Sequence, residues 1–217
     1  MARMSQRDRA LAVHEILTRE FPLIPSLLNY RNPFELVVAV ILSAQTTDAA
    51  VNRTTPELFR RFPEPGALAS APPEELESLV RPLGFFRIKA RNIRLASEVL
   101  VREFAGRVPE EMEDLLRIPG VGRKSANVLL FHIHGKPAVI VDTHFGRVVR
   151  RLGLTAARDP GMVETELAAM LPEEVRSSFS MRINLHGRQT CVARKPACYR
   201  CSVEKLCLYE AKTPLPG

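Results

Sequence analysis

Apolar residues recur along the chain at three- and four-residue intervals, as in Leu11, Ala12, Ile16 and Leu17 and again in Ile93, Ala96, Val99 and Leu100. That is the period of one face of an α-helix. The 17 prolines and 11 glycines interrupt the pattern at Pro22 and Pro25, Pro63 to Gly66, Pro72 and Pro73, Pro82 to Gly84, Pro119 to Gly122, Gly135 to Pro137, and Pro160 with Gly161. They divide the chain into about ten helices of bundle length. The segment Pro33 to Leu42 is apolar nearly all round and reads as a central buried helix, with its β-branched content leaving a strand as the alternative. Ala138 to Val141 is strand-like but too short to organise a sheet. An all-α protein is expected. No flexible linker marks a domain boundary, so any second domain has to share a close interface with the first.

One turn carries more information than the rest. Glu110 to Arg117 follows Pro109 and places Met112, Leu115 and Leu116 on one face, as a short amphipathic helix would. Ile118-Pro119-Gly120-Val121-Gly122 stops it, and Arg123 to His134 restarts helical spacing with Ala126, Val128, Leu129, Leu130 and Ile133. The result is two helices joined by a glycine turn. Gly120 and Gly122 can adopt backbone angles that a side chain resists, and they leave backbone N–H groups open at the start of the second helix. Such groups bind anions, and a phosphate bound there is positioned without its base sequence being read. Lys124 falls in the first turn of that helix, beside Arg123. Its place is compatible with a phosphate contact and equally with a nucleophile. Asp142 precedes Thr143-His144-Phe145, after which Phe145, Val148, Val149 and Leu152 show helical spacing. It reads as an N-cap, and a capping carboxylate that faces a cleft can also stabilise a cationic sugar.

Composition narrows the partner. Of the 217 residues, 31 are Lys or Arg and 24 are Asp or Glu, a formal charge of +7, which favours a polyanion. Nucleic acid is the leading reading and an anionic membrane surface its rival. The longest apolar run, around Leu36 to Ala44, is far short of the roughly 20 residues a transmembrane helix needs. No apolar signal-peptide stretch is present in the first 21 residues. The cytoplasm is the expected compartment.

All 4 cysteines lie near the C-terminal end. Cys191, Cys198, Cys201 and Cys207 form C-x6-C-x2-C-x5-C, a compact set of four soft ligands for a metal or cluster. In a reducing compartment disulfides are a poor explanation. Zinc also accepts four thiolates, but the x6 gap is unlike the paired spacing of common zinc modules, which tilts the reading toward iron and sulfur. Basic residues crowd this segment: Arg182, Arg188, Arg194, Lys195, Arg200 and Lys205, against Glu204. Arg194 and Lys195 lie in the loop between the first two cysteines, where a folded cluster would hold them outward toward phosphate.

Taken together, LLRIPGVGRKSANVLL, VDTHFGRVVRRLGL and LHGRQTCVARKPACYRCSVEKLC resemble the bacterial endonuclease III family of iron-sulfur DNA glycosylases with AP lyase activity. ILSAQTTD and GFFRIKARNI extend the resemblance through the N-terminal half. It implies a two-domain helix-hairpin-helix DNA glycosylase fold. A six-helix barrel domain (26–136) would carry the hairpin, and an iron-sulfur cluster domain would be built from 1–25 and 137–217, with DNA across the cleft between them.

By the same resemblance Lys124 is the nucleophile and Asp142 its acidic partner, and the four cysteines hold a [4Fe-4S] cluster. A monomer would act on double-stranded DNA containing damaged pyrimidines or abasic sites, with the target nucleotide flipped from the stack. Gln45 matches the position that fills the gap left by that nucleotide; a loop amide capping a helix is its plainer role. Phe85 stands where an aliphatic wedge is expected, so an aromatic ring would intercalate, with Phe86 as the alternative wedge. Two rivals differ in Lys124: an adenine-excising relative lacks it, and a non-catalytic DNA-binding module has no need of it together with Asp142.

Overall fold

The computed structural model describes residues 4–24 and 26–215; Pro25, where the sequence suggests a break, lies outside them. In chain order the helices are α1 (Gln6–Glu20), α2 (Pro33–Leu42), α3 (Asp48–Arg61), α4 (Pro65–Ala69), α5 (Pro73–Val80), α6 (Phe86–Phe104), α7 (Met112–Leu116), α8 (Arg123–His134), α9 (Thr143–Arg151), α10 (Pro160–Met170) and α11 (Glu173–Gln189). Two single 3-10 turns, Cys198–Arg200 and Glu204–Leu206, follow. Among the described residues there is no strand. The chain divides into two compact units, Ser26–Gly135 and a second composed of Met1–Pro25 with Lys136–Gly217.

The unit Ser26–Gly135 is organised around α2, which is a helix and not a strand. Its start explains why. Asn32 caps it by accepting the Glu35 N–H at 2.9 Å, and Pro33 occupies the first turn, where its missing N–H costs nothing. Residues from Phe34 to Leu42 are all buried, each large aliphatic side chain contributing about 1.5–3 kcal/mol by leaving water. Glu35, the one charged residue in that run, is held by the Arg31 amide at 2.7 Å and the Arg31 Nε at 2.8 Å. Around α2 pack α3, α6 and α8, and α4 and α5 lie on α6.

In the second unit α11 is the central element, with α1, α9 and α10 against it. Val13 and Leu17 of α1, Phe145, Val148 and Val149 of α9, and Phe179 and Ile183 of α11 form its core. The approach of α9 to α11 depends on Gly187, where a Cβ would come within 3.0 Å of His144 Cβ and 3.1 Å of Val148 Cγ2. The strand-like run Ala138 to Val141 is irregular, and among the described residues there is no strand for it to pair with. Instead Ser177 Oγ accepts the Ala138 N–H at 2.9 Å and donates to the Ala138 carbonyl at 3.2 Å, and Ser180 Oγ accepts the Ile140 N–H at 3.1 Å. Two serine hydroxyls on one face of α11 stand in for a neighbouring strand. Removing one leaves a buried amide unpaired, which costs about 1–3 kcal/mol. Ser177→Ala is therefore expected to destabilise the protein by that amount in equilibrium chemical denaturation, while an exposed serine such as Ser70 changes little when replaced.

Candidate functional site

In the unit Ser26–Gly135 the hairpin is α7, the turn Arg117 to Gly122, and α8. The first helix is shorter than its sequence suggests, Met112–Leu116, with Glu111 as an extended N-cap; α8 covers Arg123–His134. Ile118 and Val121 are buried and pin the turn, which closes through a Val121 N–H to Ile118 carbonyl bond of 3.0 Å. The two glycines do different things. Gly120 has φ +85°, and a Cβ there would stand 3.0 Å from Ile41 Cγ2 and 3.3 Å from Asn92. Gly122 has φ −97°, which any residue adopts, and open space where its Cβ would be. As the N-cap of α8, Gly122 offers no side-chain acceptor to the amides that open the helix. Arg123 and Lys124 are exposed in that first turn.

Gln45 lies at the end of α2 in a turn closed by a Thr46 N–H to Ser43 carbonyl bond of 3.1 Å. It is exposed and left-handed, φ 52°. The helix-capping role belongs to its neighbour Thr47, whose Oγ1 accepts the Ala50 N–H at the start of α3. Phe85 is the N-cap of α6, also left-handed at φ 60°, with its side chain 63% exposed. Phe86 packs on the core, with Arg81 and Arg87 over its ring. Phe85 is thus the ring presented to solvent.

Lys89 joins these two places, and sequence reasoning assigned it nothing. One helical turn beyond Phe85, it is only 4% exposed and donates to Thr46 Oγ1, next to Gln45. Burial pushes its pKa down. Because Gly120 touches Ile41 of α2 and Asn92 of α6, the hairpin turn, the Gln45 turn and the start of α6 share one end of this unit.

In the second unit Asp142 is the N-cap of α9. Its Oδ1 accepts the Phe145 N–H at 2.7 Å, and its Oδ2 accepts from Asn184 Nδ2 on α11. Asn184 Oδ1 in turn accepts from Arg188 Nε at 2.9 Å. Arg147, one turn into α9, donates to the carbonyls of Gly187 at 2.8 Å and Cys191 at 3.0 Å, fastening the start of α9 to the end of α11.

The four cysteines are free, half-buried and line one hollow with His186, Val203 and Tyr209. Burial pushes the Cys201 thiol up to about 11, and the Cys207 thiol moves in the same direction for the same reason. Arg151 organises the loop after the first cysteine. It donates to Cys191 Sγ at 3.2 Å, the Val192 carbonyl at 2.9 Å and the Ala193 carbonyl at 3.0 Å, and stacks on Tyr209. Arg194 and Lys195 extend from that loop, both exposed, with Lys195 left-handed at φ 51° and Pro196 buried beneath them. His186 is 1% exposed, with Nε2 3.5 Å from Cys201 Sγ and Nδ1 3.9 Å from Glu20.

Residues 38–173 match the model of the HhH-GPD superfamily base excision DNA repair protein. The endonuclease III of Synechocystis sp. is 47% identical over 204 residues, which cover 94% of this chain and 93% of that protein. The chain belongs to the endonuclease III family. Two solved structures, a non-covalent endonuclease III–DNA complex and a trapped endonuclease III–DNA covalent intermediate in an estranged-adenine complex, each resemble it with a TM-score of 0.89 and 40% identity. Each alignment covers 94% of this chain and 96% of the solved one.

Within this family member the difference between the two hairpin glycines is testable by thermal denaturation. Gly120→Ala forces a methyl group into a left-handed backbone and against Ile41, and is expected to cost about 2–4 kcal/mol. Gly122→Ala meets neither obstacle and should cost less than about 1 kcal/mol.

Proposed function

We propose that this chain is a bifunctional DNA glycosylase and AP lyase of base excision repair that removes oxidised pyrimidines from duplex DNA and nicks the abasic site. The observation that carries the reading is Lys124. It lies exposed in the first turn of a helix whose N-cap, Gly122, supplies no side-chain cap, in a chain 40% identical to an endonuclease III trapped covalently on DNA. The amides at Gly122 and beyond would hold a backbone phosphate, and Gln45 and Phe85 would occupy the stack left by the flipped nucleotide.

The Lys124 amine forms a bond to C1′ as the N-glycosidic bond breaks, and the base leaves with that electron pair and takes up a proton. Positive charge develops on the sugar, and the Asp142 carboxylate stabilises it. The sugar ring opens to a Schiff base. Loss of a C2′ proton then sends electrons through the iminium system and expels the 3′ phosphate, cutting the strand, and water releases the enzyme by hydrolysing the imine.

The cysteines fit a [4Fe-4S] cluster. They are four free thiols lining one hollow, the soft donor set such a cluster takes. Burial opposes the thiolate at Cys201 and Cys207, a cost that bonding to iron offsets. Bound there, the cluster would crosslink 191–207 and so stiffen the loop that presents Arg194 and Lys195 to phosphate. Among the described residues no helix is long and apolar enough to cross a membrane.

The covalent step is tested by incubating cluster-loaded protein with a duplex containing an oxidised pyrimidine and reducing with borohydride. A protein–DNA adduct is expected from the native chain and none from Lys124→Ala, whose DNA affinity should remain; native protein that nicks the duplex without forming an adduct contradicts the reading. For the loop, replacing both Arg194 and Lys195 by Ala should flatten the dependence of log affinity on log salt by about 2, since each phosphate contact contributes roughly 0.9. An unchanged slope would remove both residues from the interface.

A further inference from the structure

Asp142 is held by more than its place at a helix start. Capping α9 needs only Oδ1, which accepts the Phe145 N–H at 2.7 Å. A carboxylate held by one oxygen still turns about its terminal torsion, which is broad for Asp. The second oxygen is fixed by Asn184 Nδ2. An amide could present either its oxygen or its nitrogen, but Arg188 Nε, which can only donate, bonds Asn184 Oδ1 at 2.9 Å and so sets the nitrogen toward Asp142. Arginine, asparagine and aspartate thus form a directional chain ending on the second carboxylate oxygen.

We propose that Asn184, oriented by Arg188, is a positioning residue that aims the Asp142 carboxylate for the base-loss step. The proposal rests on the reading of Asp142 given above. A purely structural tie between α9 and α11 is not what the contact supplies. One turn along α11, Gly187 already receives His144 and Val148 at van der Waals distance, and Arg147 bonds the Gly187 and Cys191 carbonyls. The asparagine acts where α9 is docked without it, on the one atom pair that docking does not determine.

The test is a double-mutant cycle with Asn184→Leu, which keeps the branched shape and removes the donor, and Asp142→Asn, read by single-turnover excision of an oxidised pyrimidine. Asn184→Leu should slow excision at least tenfold with DNA affinity within twofold, and should cause no further slowing once Asp142→Asn is present. Nicking of a preformed abasic site, which bypasses base loss, should fall by less than threefold. Asn184→Ala should behave the same way, which covers the case of a leucine that does not pack. Excision within twofold of native in both Asn184 variants, or equal slowing with and without Asp142→Asn, overturns the proposal. Native excision in Asp142→Asn alone overturns the reading of Asp142 and the proposal with it, whereas a failed cycle in an otherwise Asp142-dependent enzyme overturns the proposal only.

Discussion

At one end of the unit Ser26–Gly135 three segments have to pass within van der Waals contact, and Gly120 is where they do so. Its backbone is left-handed, and a Cβ there would press on Ile41 of α2 at 3.0 Å and Asn92 of α6 at 3.3 Å. The residues proposed to meet DNA in this unit belong to these three segments. With the turn pressed against both helices, α8 begins at a fixed place with Gly122 open above its first amides. The Gln45 turn at the end of α2 and Phe85 at the start of α6 are carried to the same end, and Lys89 bonds one to the other through Thr46.

Backbone strain follows the same residues. Among the described residues four non-glycines are left-handed: Gln45, Phe85, Ala105 and Lys195. Ala105 is the C-cap of α6, a usual place for that conformation. The other three were singled out from the sequence as DNA contacts. A left-handed side-chain residue costs about 1–2 kcal/mol and persists only where its surroundings over-determine it. They do so by different means. Thr46 is tied down by a buried lysine, Phe86 packs against the core beside Phe85, and Arg151 holds the carbonyls just before Arg194. Each strained residue projects from a loop that rigid neighbours have already placed.

What could be read in the sequence is what depends on neighbours along the chain. Proline and glycine punctuation with helical spacing locates α8 and the turn before it. The Asn32-Pro33 pair holds the signal that makes α2 a helix although its β-branched residues leave a strand open. The cysteine spacing marks one ligand set. Contacts between distant segments could not be read. Nothing local distinguishes Gly120, which must be glycine, from Gly122, which need not be. Asn184 lies 42 residues from Asp142, in a helix whose apolar pattern says nothing of a carboxylate, and Lys89 looks like one more cation in a basic helix until its burial is known. Phe85 and Phe86 are equivalent in sequence and become different only when α6 starts between them.

The central claim is that one lysine, at the start of α8, carries out the covalent chemistry. It is tested most directly by reducing the enzyme–DNA adduct with borohydride, digesting the DNA and the protein, and locating the deoxyribose remnant by peptide mass spectrometry. The account predicts the added mass on Lys124 alone. A remnant on Lys89, Lys136 or an N-terminal amine, with Lys124 unmodified, would contradict it.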